Sequence, residues 1–186
     1  MCSYLSHKLL SLGRRRGFGV QSPTDYALIR YVLCESWPYY AYGDLRSYCR
    51  ECGRGRRAHR LGCLLFRVAN YVQAYGVYVA TTADDFFLHY IHAGCHATER
   101  TADVADAQLV VADSLNMPLT VSRPAVSRRL FAKGTIIVVT GIHQSDAAET
   151  AWQKLVSMPG VGTTFDLYDA GVALTDTERH PHHYLV

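Results

Sequence analysis

Along this chain the spacing of apolar positions switches between a helical and a strand period, and each switch marks an element. Leu5, Leu9, Leu10 and Leu12 line one side of a short helix that Gly13 stops. Ser22 before Pro23 is a helix start, and Ala27, Leu28, Tyr31 and Val32 follow at helical spacing. After Pro38 and the tyrosines Tyr39, Tyr40 and Tyr42, the stretch from Gly53 to Arg57 is a polar, basic connection. Leu61, Leu64, Leu65, Val68, Ala69 and Val72 then form the core-facing stripe of a helix from Arg60 to Gln73.

From Gly76 onward strands and helices alternate. Gly76 to Thr82 reads as a strand, Asp84 to His92 as a helix, Cys95 to Glu99 as a second strand and Ala107 to Asp113 as a buried third. Val121 to Ala132 is a predicted helix, and Thr135 to Thr140, with the β-branched run Ile136, Ile137, Val138 and Val139, is predicted to be the central strand. A helix from Asp146 to Val156 precedes an antiparallel pair, Thr163 to Leu167 and Val172 to Thr175, which Tyr184 to Val186 extends. Such alternation argues for a parallel, doubly wound α/β sheet. Residues 1–58 read as a helical, basic region packed on an α/β core of residues 59–186, one domain overall.

The segment Thr140-Gly141-Ile142-His143-Gln144-Ser145, the Ala151-Trp152 pair on the next helix, and Asp166-Leu167-Tyr168 followed by Gly171-Val172 resemble the C-terminal half of a bacterial class I S-adenosylmethionine-dependent methyltransferase-like family. Gly19, Val20, Ser22 and Pro23, and later Leu64 to Arg67, match its N-terminal pattern. The resemblance implies a Rossmann-like three-layer sandwich ending in a reversed strand. It also implies a cofactor turn after the first strand, near Thr81, a ribose-binding acid at Glu99, and Asp113 and His143 near the transferred methyl group.

The departures from that family fall on its chemistry. Thr140 and Gly141 stand where the family has two carboxylates, Gln21 where it has histidine and Asn116 near its expected histidine. The turn Ala80-Thr81-Thr82-Ala83 lacks the glycines that let a backbone approach a cofactor. Only six residues separate Glu99 from Asp106, too few for the crossover helix and strand that would wall the adenine side. S-adenosylmethionine is therefore expected to bind weakly or not at all. Two readings follow: a family member with a degenerate cofactor site and little or no activity, or a non-catalytic binding or scaffold module on that fold, working through its basic N-terminal face.

Charge sharpens the second reading. Residues 1–70 hold twelve Lys/Arg against four Asp/Glu, and residues 71–186 seven against twelve, so the net +3 conceals a basic front and an acidic back. These halves either attract each other within the fold or steer an anionic partner. The arginines lack interleaved aromatics, which speaks against a nucleic-acid partner. A third reading, a small zinc-dependent nucleic-acid adaptor, rests on the spacing of Cys49, Cys52, His59 and Cys63. Cys63 shares the apolar stripe of its helix, however, so no metal site is expected there. Six cysteines without a secretory leader suit reduced thiols in a cytoplasmic protein. No apolar run is long enough for a membrane span, the substrate or protein partner stays open, and a shortened sheet leaves an edge on which a homodimer can form.

Overall fold

The first helix, α1 (Tyr4–Ser11), is amphipathic with its faces reversed from expectation. In this computed structural model, which describes residues 4–116, 134–175 and 181–186, α1 buries His7 and Ser11, one turn apart, and leaves Leu9, Leu10 and the following Leu12 exposed. The leucine spacing fixed the helix but not its orientation, which a hydrogen bond from His7 to the sheet decides.

Ser22 starts α2 (Pro23–Leu28) as its chemistry predicts, with the Asp25 N–H donating to Ser22 Oγ at 3.3 Å. The helix widens into a π turn at Ile29–Leu33. Its end is held by Arg67, whose guanidinium donates to the carbonyls of Val32 and Leu33 at 2.6 and 3.2 Å and to Tyr42 Oη at 3.0 Å. A helix absent from the sequence reading, α3 (Tyr42–Glu51), buries only Leu45 and Cys49, a stripe too sparse to register as periodic. The long helix α4 (Arg56–Val72) starts four residues before its predicted Arg60 and buries Leu64, Leu65, Val68 and Ala69 of the expected stripe, with Leu61 and Val72 half-buried at its margin.

The strands are β1 (Gly76–Ala80), β2 (Glu99–Arg100), β3 (Leu109–Asp113), β4 (Ile136–Thr140), β5 (Thr163–Asp166), β6 (Ala170–Leu174) and β7 (His182–Leu185), with α5 (Asp84–Gly94) after β1 and α6 (Asp146–Val156) after β4. They form one mostly parallel sheet in the order β2-β1-β3-β4-β6-β5-β7, an arrangement compatible with a Rossmann-like fold. Only β6 runs against its neighbours β4 and β5. The central position of β4 is as predicted, and Ile137 is wholly buried. The Val121 to Ala132 helix lies outside the described residues.

Strand parity divides the core. Val77, Val79, Leu109, Val111, Ile136, Val138, Phe165 and Val172 face α2 to α5, whereas Val110, Ile137, Val139 and Ala173 face Trp152 and Leu155 of α6. With helices on both faces, β4 is buried at every position, which is why its run Ile136 to Val139 shows no alternation. Among the described residues no helix is long and apolar enough to cross a membrane.

The second strand is a correction. It spans Glu99–Arg100, not Cys95 to Glu99, and pairs Glu99 with Gly76 at the start of β1. Because β2 never travels along the sheet, the eight-residue link to β3 needs no crossover helix and makes do with a 3₁₀ turn at Val104–Asp106.

Helices α4 and α5 approach closely where Gly94 meets the Phe66 carbonyl and Gly62 meets the Tyr90 ring. A methyl group at Gly94 would overlap backbone, which cannot rotate aside as a side chain can. Gly94→Ala is expected to cost about 1–3 kcal/mol in urea denaturation, although alanine is the better helix former. A neutral or stabilising result would contradict this approach of the two helices.

Candidate functional site

The strands β1, β3, β4 and β5 are parallel, so their carboxyl ends share one edge of the sheet, the edge on which α/β proteins bind ligands. Beyond β4 the chain turns at Gly141, whose φ of +75° suits glycine and whose N–H donates to the Asp169 carbonyl at 2.9 Å. This turn brings His143 back over the end of β5. Ser145 then caps α6 by accepting from the Ala148 N–H at 3.1 Å, which fixes the far side of the loop.

Asp166, the last residue of β5, is the hub. Its Oδ2 lies 2.7 Å from His143 Nε2 and its Oδ1 lies 3.0 Å from His7 Nε2. The Tyr168 N–H donates to the same Oδ1 at 2.8 Å. The side chains of His7, His143 and Asp166 are 2%, 8% and 12% exposed, so the carboxylate is almost removed from water and needs these partners. Tyr168 has a positive φ of 70°, uncommon for a bulky residue, and its ring stacks on His143 with centroids 5.1 Å apart. On the other side Glu149 Oε1 lies 3.9 Å from His143 Nδ1.

Of the residues predicted from sequence, His143 joins this cluster. Asp113 and Thr81 lie on the same edge but in a separate group between β1 and β3, where the direction of chain progression reverses. There the Thr82 N–H donates to Asp113 Oδ2 at 3.3 Å, the Asn116 N–H to Asp113 Oδ1 at 3.1 Å, and the Ala83 N–H to Thr81 Oγ1 at 3.1 Å. Turn donors that could face a cofactor are thus already bonded within the protein. Glu99 lies at the opposite, amino-terminal edge and is exposed.

No protein-family model and no curated protein matches the chain.

His7 and Asp166 went unnoticed in the sequence. Asp166 sits inside the Asp-Leu-Tyr stretch that carries the family resemblance, whereas the only trace of His7 is a polar residue on a helix whose apolar face seemed to account for its packing.

A second constellation lies away from the sheet edge. Arg46, Arg50, Arg54, Arg56 and Arg60, with Cys49, Gly55 and His59, line a basin of about 720 Å³ between α3 and the start of α4. Arg57 and Arg60 pair with Asp169 at 3.0 and 3.3 Å, so the basic and acidic halves of the chain do meet here. Arg46, Arg50, Arg54 and Arg56 have no carboxylate partner among the described residues. Arg54 instead lies 5.7 Å from the centre of the Phe86 ring. The basin opens at the first turn of α4, which carries no side-chain cap and no acidic residue.

The thiols of Cys49 and Cys63 are held by neighbours within the protein. The Cys49 thiol faces the Arg54 carbonyl at 3.4 Å, and Cys63 Sγ lies 3.7 Å from His59 Nε2. Tyr90 donates its hydroxyl to the Leu45 carbonyl at 2.9 Å, so at 2.8 Å it accepts from His59 Nδ1. Burial pushes the Cys63 thiol up to about 11, which keeps it protonated, and burial together with the Arg46 charge holds the His59 imidazole below its ordinary value.

Proposed function

We propose that this chain is a methyltransferase-like α/β protein with a degenerate cofactor site, working as a binding module through its arginine basin for a phosphate-bearing ligand of nucleotide size. The observation that carries the reading is the gathering of five arginines around one basin, four of them without a carboxylate partner among the described residues. Guanidinium groups match phosphate oxygens in pairs, and an uncapped helix start adds backbone donors of the same polarity. A volume of about 720 Å³ suits a small molecule.

The methyltransferase-like part rests on the resemblance together with the reversed strand β6 inserted between β4 and β5, the feature in which that fold ends. Loss of transfer activity is supported by the bonded turn around Thr81 and Asp113, by the place of Glu99 on the far edge, and by the short link from β2 to β3. Neither the basin nor the cleft of about 410 Å³ at the amino-terminal edge is lined by Thr81, Glu99, Asp113 or His143.

Calorimetry with adenosine triphosphate and with inorganic phosphate tests the basin. A charge-assisted contact of an exposed arginine to phosphate contributes at the low end of about 1.5–3 kcal/mol, roughly tenfold in affinity. The double variant Arg46→Ala/Arg56→Ala is accordingly expected to weaken nucleotide binding about a hundredfold, and raised salt to weaken it further. Nucleotide binding that ignores both the variant and the salt would place the ligand elsewhere and refute the reading.

A further inference from the structure

His7, His143 and Asp166 offer two imidazole nitrogens and one carboxylate oxygen that all lie within 4.8 Å of one another. We propose that they bind one divalent transition-metal ion of the zinc type, through His7 Nε2, His143 Nε2 and a single Asp166 oxygen, with a fourth position left open. Two histidines and a carboxylate suit such an ion, which favours nitrogen and borderline oxygen donors over the all-oxygen shells of calcium and magnesium.

The geometry needs a local rearrangement of two hydrogen bonds. Bonds of about 2.0–2.1 Å to a tetrahedral ion set neighbouring donor atoms roughly 3.3 Å apart. His7 Nε2 lies 3.0 Å from Oδ1 and His143 Nε2 2.7 Å from Oδ2, and the three donor groups lie within 4.8 Å of one another, so both imidazoles exchange hydrogen bonds to opposite carboxylate oxygens for bonds to one ion. Both histidines turn Nε2 inward, the same nitrogen in each case. Glu149 stands 3.9 Å from the outer nitrogen of His143, within ion-pair range of the imidazole though beyond a hydrogen bond. The Tyr168 N–H and ring fix the carboxylate and the imidazole from the other side.

Asp166 lines a small pocket of about 180 Å³ with Trp152, Thr164 and His183. The exposed terminal histidines are not part of the group: His183 Nδ1 lies 2.8 Å from Thr164 Oγ1, and His182 is exposed on β7. One ligand comes from α1, so the ion would clamp the first helix to the sheet edge, 159 residues away in sequence. This inference is independent of the phosphate-binding reading, since the two groups of residues do not overlap.

The test uses the full-length chain without a polyhistidine tag, stripped of metal and titrated with Zn²⁺, then with Co²⁺ as a spectroscopic probe. One Zn²⁺ per chain with a sub-micromolar dissociation constant is expected, and Co²⁺ should give visible absorption bands of a low-coordinate nitrogen and oxygen site. His7→Gln and His143→Gln keep an amide donor for Asp166 but remove the imidazole, so each is expected to stay folded by circular dichroism and to lose Zn²⁺ affinity at least a hundredfold. Cys49→Ser/Cys52→Ser should bind as the parent does. The proposal is overturned if the parent chain binds no stoichiometric Zn²⁺, if both glutamine variants bind as tightly as the parent, or if binding is lost in the double serine variant instead. Should the glutamine variants unfold, the parent's Co²⁺ spectrum decides: bands from thiolate coordination, or none, overturn it.

Discussion

Replacing Phe165 by alanine is expected to lower the unfolding free energy by about 3–5 kcal/mol, the range for truncating a buried phenylalanine. Phe165 is completely buried in β5, one residue before Asp166, on the face that packs against the helices. Its ring stacks on Tyr184 of β7 with centroids 5.4 Å apart, so the truncation removes both core volume and the main apolar tie to the last strand. Urea denaturation measures the effect directly, and an unchanged slope would show that the compactness of the unfolded state is unaltered. Phe165→Leu keeps most of the volume and should cost well under half as much. A loss below about 1 kcal/mol for the alanine variant would contradict the packing of β5 and β7 described here.

The second large effect concerns S-adenosylmethionine. Its dissociation constant is expected to be about millimolar or weaker, because the features of a methyltransferase-like cofactor site fail independently. The turn after β1 carries a side chain at every position from Ala80 to Ala83, and its Thr82 and Ala83 N–H groups are already bonded to Asp113 and Thr81. The acid expected at the ribose, Glu99, begins β2 at the other end of the sheet. A loss of about 4 kcal/mol from these two causes together turns a micromolar ligand into a roughly millimolar one. Calorimetry with the cofactor and with S-adenosylhomocysteine checks this. A micromolar constant abolished by Asp113→Ala or Glu99→Ala would restore the transferase reading.

The two sites differ in how far they were legible in advance. His143 stood out because it follows a strand end in a chain of alternating elements, and that position survives in the structure. Its partners did not stand out, since nothing local distinguishes Asp166 from any other strand-end carboxylate. The arginines were visible as a charge bias, but their convergence depends on α3, whose Arg46 and Arg50 face the start of α4 across the basin. With only Leu45 and Cys49 buried, α3 left too faint an apolar pattern to be seen.

The sequence by itself determined what depends on near neighbours and on apolar periodicity. The capped start at Ser22, the stripe of α4, the β-branched central strand β4, the helix begun by Ser145 and the reversed β5–β6 pair all follow from local chemistry. Only the tertiary structure decided which polar groups meet. A buried carboxylate needs donors wherever the fold can supply them, so Asp166 draws His7 inward from α1 and leaves Leu9 and Leu10 of that helix on the outside. The same holds for Glu99: its strand type was readable, but its edge of the sheet was set by pairing with Gly76, and pairing register is a long-range property that no local pattern encodes in so short a strand.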